Sequence, residues 1–152
     1  MAGKTVQEIF GDRLKNALEF DVTTMASKVL INDGKGHFTA HDLPFTQQWS
    51  PIFAFAAYDY NHDGKTDILT GGNFFGVKPY EGRYDAMALS LSLGDGKGNF
   101  NNLIQHSGPL LNSGEVRDIR YININKKPCL IIAKNNDKPL FLEIANEDND
   151  KK

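Results

Sequence analysis

Long apolar runs are missing from this chain, and so is any excess of charge of one sign. Among 152 residues there are 17 Lys or Arg and 19 Asp or Glu, a formal net charge of −2. That balance gives no electrostatic case for nucleic acid or for an anionic membrane surface. No stretch approaches the roughly 20 apolar residues of a membrane span, and the opening MAGKTVQEIF lacks the apolar core of a signal peptide. A single cysteine, Cys129, excludes an internal disulfide. It lies in KPCLIIA, the setting of a small buried hydrophobe rather than a reactive thiol. The histidines His37, His41, His62 and His106 are scattered without metal-ligand spacing, and no G-x-S-x-G nucleophile motif is present.

What the chain has instead is turn-formers and aromatics, with Gly 14, Phe 10 and Tyr 5, and Asn and Asp clustered between apolar runs. This composition fits β structure. Only the first twenty or so residues have a helical pattern. Thr5-Val6-Gln7-Glu8 reads as a capping box, in which hydroxyl and carboxylate each satisfy an exposed amide. Val6, Ile9, Phe10, Leu14, Ala17 and Leu18 then follow a helical stripe, weakened by Gly11. The expected role of this helix is to cover an open edge of the core. At the other end NEDNDKK has no apolar residue to bury and is expected to be a disordered tail, residues 146–152.

An internal repeat organises the rest. NDGKGHF begins at Asn32 and GDGKGNF at Gly94, an offset of 62 residues, and the same offset lays DILTGGN over CLIIAKN. Such a period marks one supersecondary unit used more than once. FAFAAYD reads as a buried strand, DILTGG as the next, and DAMALSLSL and FNNLIQ as the third and fourth. The Asp-Gly and Lys-Gly pairs of GDGKGNF supply the positive φ angles of a tight turn. For the same reason its spaced glycines do not make a phosphate loop, which would need to lead into a helix. Residues 26–42 then hold the last two strands of a unit, 51–105 a complete unit, and 115–145 the first three strands of another. Four antiparallel strands per unit is the pattern of a β-propeller blade, and about 4 to 8 blades close a propeller. The expected class is therefore all-β, with about two incomplete propeller-type blades and a short N-terminal helix in residues 1–25.

The stretch DYNHDGKTD carries candidate chemistry. Asp59, Asn61, Asp63 and Asp67 place oxygen side chains at loop positions 1, 3, 5 and 9, the Lys65 carbonyl adds another donor, and Gly64 permits the sharp turn. Hard Ca²⁺ takes about 6 to 8 oxygens and suits this set, whereas Mg²⁺ demands a stricter octahedron. Zinc would find only His62. An EF-hand is excluded, because its twelfth position is Thr70 and the flanks read as strands. The alternative is a solvated turn without an ion. The aligned stretch YININKKPC keeps Asn123 and Asn125 but no carboxylate and no glycine, so no metal is expected there.

YDYNHDGKTDILTGGN together with LSLGDGKGNF resembles the FG-GAP / VCBS repeat of integrin-type β-propellers, especially the form found in large bacterial surface or secreted proteins. The resemblance covers about residues 26–145. It departs at Gly71-Gly72-Asn73, where the eponymous Gly-Ala-Pro would stand, and at the second, degenerate loop. It implies a calcium loop between the first two strands of a blade, a secreted or cell-surface setting, and the remaining blades of a parent propeller, or a second copy, as partners. The expected function is a non-enzymatic, calcium-stabilised binding or scaffold segment. The competing expectations are the scaffold of a polysaccharide-acting enzyme and a self-associating structural module.

A second loop, KPYEGRYDA, brings Tyr80, Arg83, Tyr84 and Asp85 together and is a candidate site for a protein or glycan ligand. Its competing role is packing against a neighbouring blade. Trp49 is expected to pack at a blade junction. The open edges left by incomplete units invite further strands. LEFDV, near Leu18, is a candidate closing strand, with dimerisation as the fallback.

Overall fold

A computed structural model describes residues 3–87, 89–103 and 114–144 of the chain. The repeat is visible at once in the strand positions. β1 (Lys28–Asn32) and β2 (Phe38–Asp42) form a two-stranded sheet. β3 (Ile52–Tyr58), β4 (Asp67–Gly72), β5 (Ser90–Gly94) and β6 (Phe100–Asn102) form the second sheet in that order. β7 (Val116–Ile124), β8 (Lys127–Lys134) and β9 (Leu140–Glu143) form the third. Every pairing is antiparallel. Strands of two, four and three per sheet match the division read from the repeat, although no closed propeller is formed by them.

The turns repeat as closely as the strands. In the first, the Asp33 carboxylate accepts from Lys35 N at 2.7 Å and His37 N at 3.2 Å. In the second, Asp95 accepts from Lys97 N at 2.7 Å and Asn99 N at 3.1 Å. Gly34 and Gly36 have φ of 79° and 91°, and Gly96 and Gly98 have 75° and 94°. These values lie in the left-handed region that glycine adopts without penalty.

The core lies between the second and third sheets. Ala54, Leu69 and Leu89 on one side meet Val116, Ile119, Leu130 and Ile132 on the other. Each of the Leu, Ile and Val side chains, fully buried, contributes about 1.5–3 kcal/mol of hydrophobic stabilisation. Tyr58 stacks on Tyr121 with ring centroids 5.5 Å apart, at one end of this interface. β7 crosses so close to β4 that a Cβ on Gly71 would meet Val116 Cγ1 at 2.7 Å. Cys129 is a buried free thiol, in keeping with its apolar surroundings.

The other face of β3 is less covered than its sequence suggests. FAFAAYD reads as a buried strand, but Phe53 and Phe55 are 47% and 65% exposed. The reason is the first sheet, which has only two strands to lay over that face. It is fastened by the short 3-10 turn Phe45–Gln48. Fully buried Gln47 donates to Thr70 Oγ1 at 2.9 Å and to Ser90 O at 3.3 Å.

Four other expectations are corrected. The helix Val6–Phe10 is present and its capping box is complete, with Thr5 N donating to Glu8 Oε2 at 2.7 Å and Glu8 N to Thr5 Oγ1 at 3.2 Å. It buries none of its residues, however, so it does not cover an edge. Gly11 ends it, and a 3-10 turn, Gly11–Asn16, follows. LEFDV joins no strand, leaving Leu18, Phe20 and Val22 at 84%, 85% and 74% exposure. DAMALSLSL becomes a strand only from Ser90, because residues 73–87 form a loop closed by the Phe74–Tyr84 bridge. Trp49 is 49% exposed and meets the edge of Phe45 rather than lying within a sheet junction. The 146–152 tail lies outside the described residues.

Candidate functional site

The Asp-rich loop spans residues 59–66 and joins β3 to β4. Its side chains organise its own backbone. Asp59 accepts from Asp63 N at 3.1 Å and from Gly64 N at 2.8 Å. Asn61 Oδ1 accepts from Asp63 N at 3.2 Å, and Asp63 Oδ1 from Lys65 N at 2.9 Å. His62 and Gly64, with φ of 59° and 81°, bend the chain round these contacts. Asp63 Oδ2 also takes the Lys65 ammonium at 3.0 Å. That bond, and then the Lys65 amide, hold the Asp63 carboxyl below its ordinary range.

Asp67 stands apart from the other three. It opens β4, is wholly buried, and accepts from Tyr60 N and Gly94 N at 2.9 Å each. It thereby ties the loop to the start of the Gly94–Gly98 turn. Its charge has no cationic partner among the described residues, although buried carboxylates are ordinarily paired or metal-bound. Burial, and next the nearby Asp67, push the Tyr60 phenol up to about 12. Asp59, Asn61 and Asp63 are thus gathered on one run of amides, while Asp67 is turned to the sheet. Among the described residues no group of three or more His, Cys, Asp and Glu is assembled in a way that could hold a metal ion.

The matching connection of the next unit has shrunk to a two-residue turn, Asn125-Lys126, with φ of 51° and 67°. β7 and β8 extend into the space such a loop would occupy, so Asn123 sits in the ladder opposite Pro128.

The second candidate loop, residues 73–87, leaves the other end of β4. Antiparallel connection therefore sets it at the opposite end of the sheet from the Asp-rich loop, and the two cannot share a ligand. Arg83 lies over the Phe75 ring at 5.1 Å, and Lys78 over Tyr80 at 5.8 Å. Tyr84 bonds Phe74 through both backbone groups, at 2.8 and 3.0 Å. Its ring and that of Tyr80 remain 52% and 79% exposed. Arg83 and Asp85, but neither tyrosine, line a polar cavity of about 640 Å³ with Phe75, Glu115, Asn135 and Asp137.

Sequence reasoning missed the network beneath this cavity. Buried Glu115 accepts from Phe75 N at 2.7 Å, Asn135 Nδ2 at 2.6 Å and Arg117 at 2.7 Å. Those donors, the Phe75 amide foremost, hold its carboxyl below the ordinary range. Arg117 lies over Phe53 at 4.5 Å, and buried Asn73 accepts from Met87 N at 3.1 Å. Asn73 has φ of 74°, a conformation Asn tolerates better than most residues. Its place directly after Gly71-Gly72 was the available signal. Beyond the local Glu115–Arg117 pair, Glu115 meets Phe75 and Asn135, 40 and 20 residues away, and Arg117 meets Asn73 O, 44 residues away, contacts that no local pattern could announce.

No helix among the described residues is long and apolar enough to cross a membrane. No protein-family model, curated protein or solved structure matches the chain.

Proposed function

We propose that the chain is a non-enzymatic β-sheet repeat module of the propeller type, serving as a binding or scaffold segment stabilised by one Ca²⁺ at the Asp-rich loop. The carrying observation is the loop itself: Asp59, Asn61 and Asp63 gather their oxygens on one run of amides, next to the buried Asp67 carboxylate that opens β4. A hard cation is the partner that this all-oxygen donor set fits. Asp59, Asn61, Asp63, Asp67 and the Lys65 carbonyl would hold it. When bound, it supplies positive charge that offsets three carboxylates and joins the β3–β4 hairpin to the neighbouring turn. Lys65 Nζ also bonds Asp63 Oδ2, at 3.0 Å.

The scaffold reading rests on the two sheets of the core, which pack as successive units of antiparallel strands, and on the matching turns of the first and second sheets. Thermal unfolding with calcium and with chelator tests the metal. An ion bound only by the folded state raises stability by about 2.7 kcal/mol at a hundredfold excess over Kd. Asp63→Asn should abolish that increment. Identical melts in calcium and chelator would overturn the calcium reading.

A further inference from the structure

Residues 18–24 have the pattern of a strand and no sheet to join. Leu18, Phe20 and Val22 alternate with Glu19, Asp21 and Thr23, the signature of a strand with one covered face. Met25, just beyond, is 87% exposed. The first sheet has the converse deficit. By the 62-residue offset β1 and β2 correspond to β5 and β6, and among the described residues no strands stand beside β1 as β3 and β4 stand beside β5. The free edge of β1 borders an apolar cavity of about 460 Å³ lined by Val29, Leu30, Leu43, Ile52, Phe55 and Ile68.

We propose that two copies of this chain pair antiparallel through residues 18–32, each laying its 18–24 segment along the other's β1 and over the apolar cavity beside it. The register follows from the faces of β1. Val29 and Ile31 are its half-buried residues, and Ile31 Cγ1 comes within 2.6 Å of where a Cβ on Gly98 would stand. Setting Val22 opposite the second copy's Val29 puts Phe20 opposite its Ile31, so all four share the cavity face. A slip of one residue would turn the donated side chains outward. In the chosen register Thr24 meets the second copy's Ser27, and Met25 its Ala26. A two-fold axis then passes between residues 25 and 26, and the contact is self-complementary and closed.

The same register within one chain is disfavoured by the turn it needs. Ser27 is already fixed as an extension of β1. Its carbonyl accepts from Leu43 N and Gln48 Nε2 at 3.0 Å each, and its N–H donates to Gln48 Oε1 at 2.8 Å. Folding back would leave Met25-Ala26 as a two-residue hairpin turn, which requires positive φ and hence Gly, Asn or Asp. Between two copies the chain simply runs straight through these residues. This interface does not depend on the calcium reading, since neither strand belongs to the Asp-rich loop.

Sedimentation velocity across two decades of concentration, with hydrogen exchange on the same samples, tests the proposal. Expected is a monomer–dimer equilibrium in which the amides of residues 18–24 gain protection with dimer formation. Phe20→Asp and Val22→Asp alter only exposed side chains and should leave the melting of the monomer unchanged. Each should weaken dimerisation by about 30-fold or more, as loss of a central apolar anchor does. A wild-type chain that stays monomeric throughout would overturn the proposal, as would a dimer indifferent to both variants. Protection of residues 18–24 in a monomer would also overturn it, by showing closure within one chain.

Discussion

Gly71→Ala tests how the repeats pack, because two opposing effects give it a decisive sign. The added methyl would stand 2.7 Å from Val116 Cγ1 and 2.9 Å from its Cβ and Cγ2. Carbon atoms in good contact lie about 3.5–4.0 Å apart, so β4 and β7 must separate by roughly 1 Å or Val116 must leave its rotamer. Val116 is 2% exposed and β-branched, and has little freedom to yield. Overpacking of this kind costs about 1–3 kcal/mol, and three close contacts favour the upper end. Against it, Ala is preferred to Gly in a strand by about 0.5–1 kcal/mol. The net loss is then about 2 kcal/mol, a fall in Tm of about 4–8 °C for a chain of this size. Urea unfolding of Gly71→Ala, Val116→Ala and the double variant measures it. Val116→Ala alone should destabilise by leaving a cavity, yet the double variant should lose less than the two single losses together. A more stable Gly71→Ala protein, or strictly additive losses, would refute the crossing of β7 over β4.

Asp67→Ala leaves the Tyr60 and Gly94 amides buried without an acceptor; at about 1–3 kcal/mol for each orphaned donor, it should be among the most destabilising changes in urea unfolding, even in chelator. The Tyr60 phenol, raised to about 12 by burial and Asp67, should show in an ultraviolet titration as a step above the ordinary phenol pKa of about 10. Because the unfolded phenol ionises near 10, the folded state keeps more protons in that window, and Tyr60's contribution is lost as pH rises through about 12. Glu115 works in the other direction. Its folded pKa is lowered by the Phe75 amide, Asn135 and Arg117, so its contribution is present above the usual carboxylate range and lost as pH falls below it. Glu115→Gln should flatten this acid limb of the stability profile, and an unchanged limb would remove Glu115 from the account. Ile132→Ala, at the fully buried centre of the core, should cost about 2–5 kcal/mol.

The strands and turns were legible in the sequence because their causes are local. Asp33 and Asp95 cap turns two and four residues ahead of themselves, and the glycines supply backbone angles that neighbours cannot alter. The capping box of Thr5 and Glu8 is local too, and formed as expected. Whether that helix would find a surface to cover was not a local matter, and it found none. Asp59, Asn61 and Asp63 organise their loop by contacts within a few residues, whereas Asp67 was drawn away by the Gly94 amide, 27 residues on. The Glu115 network and the crossing of Val116 over Gly71 likewise exist only once separate strands lie side by side. Sequence alone determined the repeat and the oxygen-rich loop, through short-range hydrogen bonds and backbone angles. Tertiary packing alone decided which faces were covered. Burial depends on the strands supplied by neighbouring units, and the first sheet has only two.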